Sequence, residues 1–252
     1  WGDASTFSLP VWTPATSEAF ATYGVIDKGV MTQPVKTPEE VWPQFGQVEV
    51  STSSTALQSL TDAFIYLYDY DYQCAEQISS RMLSVAALRD VLTAFNAKEM
   101  PSKADIEKSM TRDIEELFSR QNYDGGFGLW RKGQPSWPYV SLHAAHALTR
   151  AEQKGYTINA SNKNRMLHYL KNIENYIPHY YTKKTRDHIS AYALYVRSLN
   201  GDKDTIKARA LIKGVKTLDD LTFESLGWLL GVLTGDPDSA SELKELKRFI
   251  GN

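Results

Sequence analysis

The sequence predicts a mainly α protein, an α/α toroid of helical hairpins short of a full ring, preceded by a short β-rich segment. Three observations predict it. From about Ser54 onward, apolar residues recur every three or four positions, the period of a helix with one buried face. Glycines fall just past the ends of these runs, where a helix commonly stops. Residues 1–53 have a different character, with Pro10, Pro14, Pro34, Pro38 and Pro43 set among β-branched and aromatic residues. The expected domains are therefore 1–53 and 54–252.

The elements follow in order. Runs at 20–27 and 47–51 read as strands between turns, and neither is long enough to fold alone. Ser54 or Thr55 can cap a helix whose stripe is Leu57, Leu60, Phe64 and Leu67. A second helix runs over about 75–96, with Ile78, Met82, Val85, Leu88 and Leu92 on one face. Ser102 or Lys103 begins a third, which ends near Gln121 before Asp124-Gly125-Gly126. Six more are expected at 138–154, 163–173, 188–199, 204–212, 222–233 and 239–249, with Gly155, Gly201, Gly214, Gly235 and Gly251 as stops. No alternating strand pattern separates them. A closed ring of six hairpins needs about twelve helices, so about nine leave it incomplete at the C-terminal end.

Composition narrows the function classes. The 252 residues are 42% hydrophobic and 23% charged with a formal net charge of −2, an ordinary globular profile. A near-neutral balance carries no footprint for nucleic acid. No apolar run is long enough to span a bilayer. The chain opens on Trp1 rather than methionine and reads as a piece of a longer precursor. One cysteine permits no internal disulfide. Asn159-Ala160-Ser161 matches a glycosylation acceptor and reads as a loop.

That cysteine carries the chemistry. Cys74-Ala75-Glu76-Gln77 sets a thiol and a carboxamide one helical turn apart, on one face. The two can condense with loss of ammonia to an internal thioester, a stored electrophile. A helix start offers unpaired N–H groups, which favour both a tetrahedral oxyanion and a departing thiolate. Glu76 suits the same helix start through the dipole. Tyr66, Tyr68, Tyr70 and Tyr72 stand just upstream, and Tyr70 and Tyr72 are candidates to keep water off such a bond. The plainer alternatives are a small buried cysteine and two aromatic rings packing at a helix junction. By residue usage, C-x-E-Q recurs by chance in roughly one chain in a hundred of this size, so the flanking residues have to decide.

Those flanks resemble the thioester domain of the bacterial alpha-2-macroglobulin family. Tyr70-Asp71-Tyr72-Gln73-Cys74-Ala75-Glu76-Gln77-Ile78-Ser79-Ser80-Arg81 is similar to the family's Y-P-Y-G-C-x-E-Q-x-x-S-R. Asp71 replaces the proline and Gln73 the glycine of that pattern. Downstream, Gln121-Asn122-Tyr123-Asp124-Gly125-Gly126-Phe127-Gly128-Leu129-Trp130 resembles Q-N-x-D-G-G-F-G-x-W. Trp137-Pro138-Tyr139 then opens a helix ending near Gly155-Tyr156, as in those domains. The resemblance covers about residues 50–252. It implies that the N-terminal segment is the preceding half of a CUB-type β-sandwich. It implies that Cys74 supplies sulfur and Gln77 the acyl carbon, with Tyr70 in the position of the shielding tyrosine. The expected function is single-use covalent capture of a protease through a lysine amine, not turnover. The expected partners are target proteases and the other domains of a full-length macroglobulin. No cofactor is implied. An exported or periplasmic location, with a lipid anchor outside this sequence, follows by resemblance only.

Other residues have plainer readings. Gly125, Gly126 and Gly128 suit tight packing better than anion binding, with Phe127 and Trp130 as core anchors. His143 and His146, three apart on one helix, begin a metal pattern that no nearby cysteine or carboxylate completes, and a core-plus-surface pair is expected. His179 and His188 lie about as far from Cys74 as the reactive histidine of complement-type relatives, but their surroundings do not match, so no role is carried over. Two rival functions stay open. One is a toroidal enzyme, a cyclase using Asp69 and Asp71 or Asp219, Asp220 and Glu224, or a glycosidase with paired carboxylates. The other is a binding or structural module in which the thioester never forms.

Overall fold

The computed structural model describes residues 2–11, 16–50, 52, 57–94 and 100–251. The chain divides into two compact units, Trp1–Thr52 and Ser53–Asn252. In the first, the strands expected at 20–27 and 47–51 do not form; Ser51 lies outside the described residues. The described backbone there has no regular element beyond a 3-10 turn at Pro43–Phe45, with a bend at 27–29 and a turn at 39–40, and every described side chain is exposed. β-branched and aromatic residues supply strand propensity, but a strand also needs a neighbour to pair its N–H and C=O groups. The prolines remove some of those donors outright.

The second unit is α-helical. Among the described residues it has nine α-helices: α1 (Leu57–Tyr68), α2 (Ala75–Ala94), α3 (Lys103–Ser119), α4 (Pro138–Gln153), α5 (Ala160–Lys171), α6 (Lys183–Leu199), α7 (Thr205–Lys213), α8 (Phe223–Leu233) and α9 (Ala240–Ile250). The expected caps Ser54 and Thr55, the side chains of Leu57 and Leu92, and Asn96 all lie outside the described residues. Ser102, Asn159, Thr182, Asp204 and Thr222 each accept an N–H from the first turn of the helix that follows. The acceptor-like Asn159-Ala160-Ser161 is thus a helix start rather than a loop. Helix α6 begins earlier than expected, because Thr182 caps it and carries Lys183–Leu199 as one helix. Gly155 and Gly201 take positive φ just past α4 and α6, which lets the chain reverse.

The helices form two layers of hairpins. Helices α2, α4, α6 and α8 pack side by side in sequence, and the odd-numbered helices pack against them. One core gathers Phe64, Ile78, Met82, Leu117, Phe127, Leu148 and Tyr169 between α1 and α6. A second gathers Leu194, Leu226, Leu229, Val232 and Leu246 between α6 and α9. Tyr195 and Trp228 pack against both, so the hairpins are continuous. No described helix is long and apolar enough to cross a membrane.

Candidate functional site

Helix α1 ends at Tyr68, and residues 69–73 carry the chain across to Cys74, immediately before α2. Cys74 is 7% exposed. Its carbonyl accepts the Ile78 N–H at 3.0 Å, as an N-cap carbonyl does. Its own N–H donates to Gln77 Oε1 at 2.9 Å. This is one half of a capping box, the side chain of the third helical residue reaching back to the cap backbone. Cys74 and Gln77 are therefore brought together, and the contact polarises the amide whose carbonyl carbon would acylate the sulfur.

The glycine-rich segment builds the other side. The Ala75 N–H, an orphan donor at the helix start, donates to Leu129 O at 2.8 Å. Arg120 Nη1 donates to the same oxygen at 3.1 Å while Glu116 holds its guanidinium. Gly125 sits at φ +91°, where a Cβ would collide with the Arg165 carbonyl. A Cβ on Gly126 would lie 2.6 Å from Ser136 Cβ. Asp124 Oδ1 accepts from the Gly126 N–H at 2.9 Å, and the buried Phe127 N–H donates to Ser141 Oγ at 2.9 Å. The glycines serve close packing. Phe127 is a core residue, whereas Trp130 is 53% exposed and does not anchor the core. Leu129 is pinned by its backbone carbonyl, so the chain turns outward at Trp130, whose N–H donates to Gln134 Oε1 at 2.8 Å.

Tyr70 is half-buried, with its ring 5.6 Å from Tyr66 and 5.7 Å from Tyr72. Tyr72 is 65% exposed. With Ile65, Asp69 and Asp71, these tyrosines line a shallow hollow of about 300 Å³. Asp69 and Asp71 are exposed. Asp220 accepts the Lys216 and Thr217 N–H groups and caps a 3-10 turn that also contains Asp219.

The histidines differ from expectation. His143 and His146 are both largely enclosed between α4 and α6 rather than split between core and surface, because Tyr192 reaches both rings. Tyr192 Oη lies 3.3 Å from His143 Nδ1 and 3.0 Å from His146 Nδ1. His143 Nε2 lies 2.9 Å from Ser80 Oγ, which donates to Glu76 Oε1 at 2.9 Å. Burial lowers the His143 pKa, against an opposing pull from Glu76. Burial, then Arg150 and His143, lower that of His146 to about 4. No group of three or more His, Cys, Asp or Glu among the described residues could hold a metal. His188 bonds Thr222 Oγ1 at 2.8 Å, and His179 is exposed beside Tyr180. Sequence reasoning missed Ser80, Tyr139, Tyr192 and Trp228. The signal was a polar stripe, Tyr139, His143, His146 and Arg150, at helical spacing inside an otherwise apolar helix.

Comparison with known proteins gives the class. No family model matches the chain. Circularly permutated Ras protein 2 of Dictyostelium discoideum is 26% identical over 97% of this chain and 7% of its own length. Alpha-2-macroglobulin of Rickettsia conorii is 26% identical over 56% of this chain and 8% of its own length. The chain thus spans less than a tenth of either relative. Escherichia coli alpha-2-macroglobulin, solved from domain MG7 to the C-terminus, superposes with a TM-score of 0.65 at 21% identity, over 76% of this chain and 30% of that one. Salmonella alpha-2-macroglobulin reacted with methylamine superposes with a TM-score of 0.64 at 21% identity, over 76% and 13%. The fold is that of a helical-hairpin domain from the C-terminal region of a macroglobulin. The chain is similar in sequence to bacterial alpha-2-macroglobulins and shares their fold over this region.

Proposed function

We propose that this chain is the thioester-bearing segment of a macroglobulin-type endopeptidase inhibitor. Cys74 and Gln77 condense, and a lysine amine of a protease then takes the acyl group and frees the thiol. The observation that carries this reading is the 2.9 Å contact from the Cys74 N–H to Gln77 Oε1 at the start of α2. It holds the two partners on one turn and leaves the amide carbon polarised. A Salmonella neighbour of the same fold is described as reacted with methylamine, a small amine of the required kind. The acyl group stays on its captor, so the segment acts once per molecule. Tyr70 and Tyr72 serve as the water shield. The other partners are further domains of the larger protein, in an exported, periplasmic or lipid-anchored setting.

The same hydrogen bond equally suits an ordinary helix cap, and this favours one alternative, a packing module without the covalent bond. Intact mass spectrometry separates the two. A formed thioester makes the chain one ammonia lighter than its sequence, and methylamine then adds to Gln77 and frees one titratable thiol. A mass equal to the sequence and unmoved by methylamine leaves only the packing module. Cys74→Ala should abolish amine incorporation while preserving the helical circular dichroism.

A further inference from the structure

Glu76, the residue just before Gln77, ends a hydrogen-bonded chain of side chains whose donors have a defined direction. It runs Arg150, His146, Tyr192, His143, Ser80, Glu76. An Arg guanidinium has only donors, so Arg150 Nε, 3.3 Å away, makes His146 Nε2 an acceptor. Enclosure keeps His146 neutral near pH 7, with its pKa held at about 4. Its proton therefore sits on Nδ1 and is donated to Tyr192 Oη. The Tyr192 hydroxyl proton is then free for His143 Nδ1. A neutral His143 carries its own proton on Nε2 and donates it to Ser80 Oγ. Ser80 donates in turn to Glu76 Oε1. All the donors point one way, and each bond polarises the next. Arg150 is anchored by a 2.8 Å bond to Tyr195 Oη.

The far end of this wire is a carboxylate between Cys74 and Gln77 in sequence. Its side chain is 43% exposed, open to an incoming molecule, and His143 Nε2 stands 3.9 Å away. We propose that Glu76 is the proton acceptor for the amine that attacks Gln77, and that Ser80, His143, Tyr192 and His146 are positioning residues that aim it. This rests on the thioester reading. In the step, the amine nitrogen bonds to Gln77 Cδ and the Cδ–Sγ bond breaks, its electron pair leaving on sulfur. The amine proton passes to Glu76 and from there to the Cys74 thiolate, giving an amide and a thiol with nothing else consumed. The other titratable groups facing the wire are Tyr139 of α4, His188 of α6 stacked on it, and Glu224 of α8.

The test uses the whole chain. Intact mass first establishes the loss of ammonia in wild type and in each variant. Methylamine incorporation is then timed over roughly pH 5 to 9, with rates expressed per free-base amine. Glu76→Gln should slow it by about a hundredfold. Tyr192→Phe keeps the ring stacked 4.2 Å from Trp228 but removes the link, and should slow it by about tenfold. Wild type should also slow at acid pH, as His143 protonates and can no longer accept from Tyr192; Tyr192→Phe should lose that dependence. Wild-type rates and pH profiles in both variants would overturn the inference and leave the thioester standing. A wild-type mass equal to the sequence would overturn both. Nitrogen-15 spectra give a readout independent of the thioester, with the proton expected on Nε2 of His143 and on Nδ1 of His146. The opposite tautomers would also overturn the inference.

Discussion

Cys74 offers two groups to one partner: its backbone N–H holds the Gln77 carbonyl, and its sulfur is the group that carbonyl carbon would join. That economy depends on where the helix starts, and neighbouring residues set the start. Gly125 is the most constrained of them. At φ +91° and against the Arg165 carbonyl, it has neither the dihedral nor the space for a side chain. Gly125→Ala should therefore cost about 1–3 kcal/mol in chemical denaturation. A loss within error of zero would mean that the turn can relax. Because the turn carries Leu129 to the Ala75 N–H, the same variant should also lose amine incorporation more readily than a surface change of equal stability cost.

Helix α2 is held at two levels. The Ala75 N–H is taken by Leu129 O, and the N–H of the preceding cap, Cys74, by the side chain of Gln77. Two turns on, Arg81 makes a bidentate pair with Asp113 of α3, at 2.7 and 2.8 Å, with the side chains 3% and 1% exposed. A fork-to-fork pair fixes direction as well as distance, so it sets the rotation of α2 against α3. Arg112 also contacts Asp113 at 3.0 Å, though from the surface. Arg81→Ala leaves a buried carboxylate with that partial partner alone, and should cost about 3–5 kcal/mol. Replacing both partners, Arg81→Met with Asp113→Leu, should cost much less. If the single and double variants unfold at the same denaturant concentration, the pair is not what registers the two helices.

Across the helical unit, both cores are built from the facing surfaces of successive hairpins, and the aromatic and histidine side chains of α4, α6 and α8 lie where those hairpins meet. Enclosing imidazoles there makes folding sensitive to acid. His146 binds its proton near pH 4 when folded and near about 6.5 when unfolded. Between those values the unfolded chain holds more protons, so stability rises with pH and is lost as pH falls from about 6.5 toward 4. For this group the full loss is on the order of 3 kcal/mol. His143 and His188 are shifted the same way, in each case by burial first, and add to the trend. Thermal melts should show a falling midpoint over that window, and His146→Gln should shallow the slope. An unchanged slope in the variant would place the acid sensitivity elsewhere.

Much of this was legible without coordinates. The helix stripe Ile78, Met82 and Val85, and the helix starts near Ser102 and Thr222, are local patterns, because a buried face and an orphan N–H make their demands within a few residues. The Cys74–Gln77 juxtaposition belongs to the same kind, being one turn of helix. The strands expected near the N-terminus did not form, since strand pairing is a bond to something distant and propensity cannot supply it. Trp130 was misplaced for a related reason: its neighbour Leu129 is fixed by a backbone bond to a helix start more than fifty positions earlier. The Glu76-to-Arg150 wire is the clearest case. Local order on α4 sets its histidines on one stripe, but only the packing of α2, α4 and α6 brings Ser80 and Tyr192 to the ring nitrogens and so decides which nitrogen carries each proton.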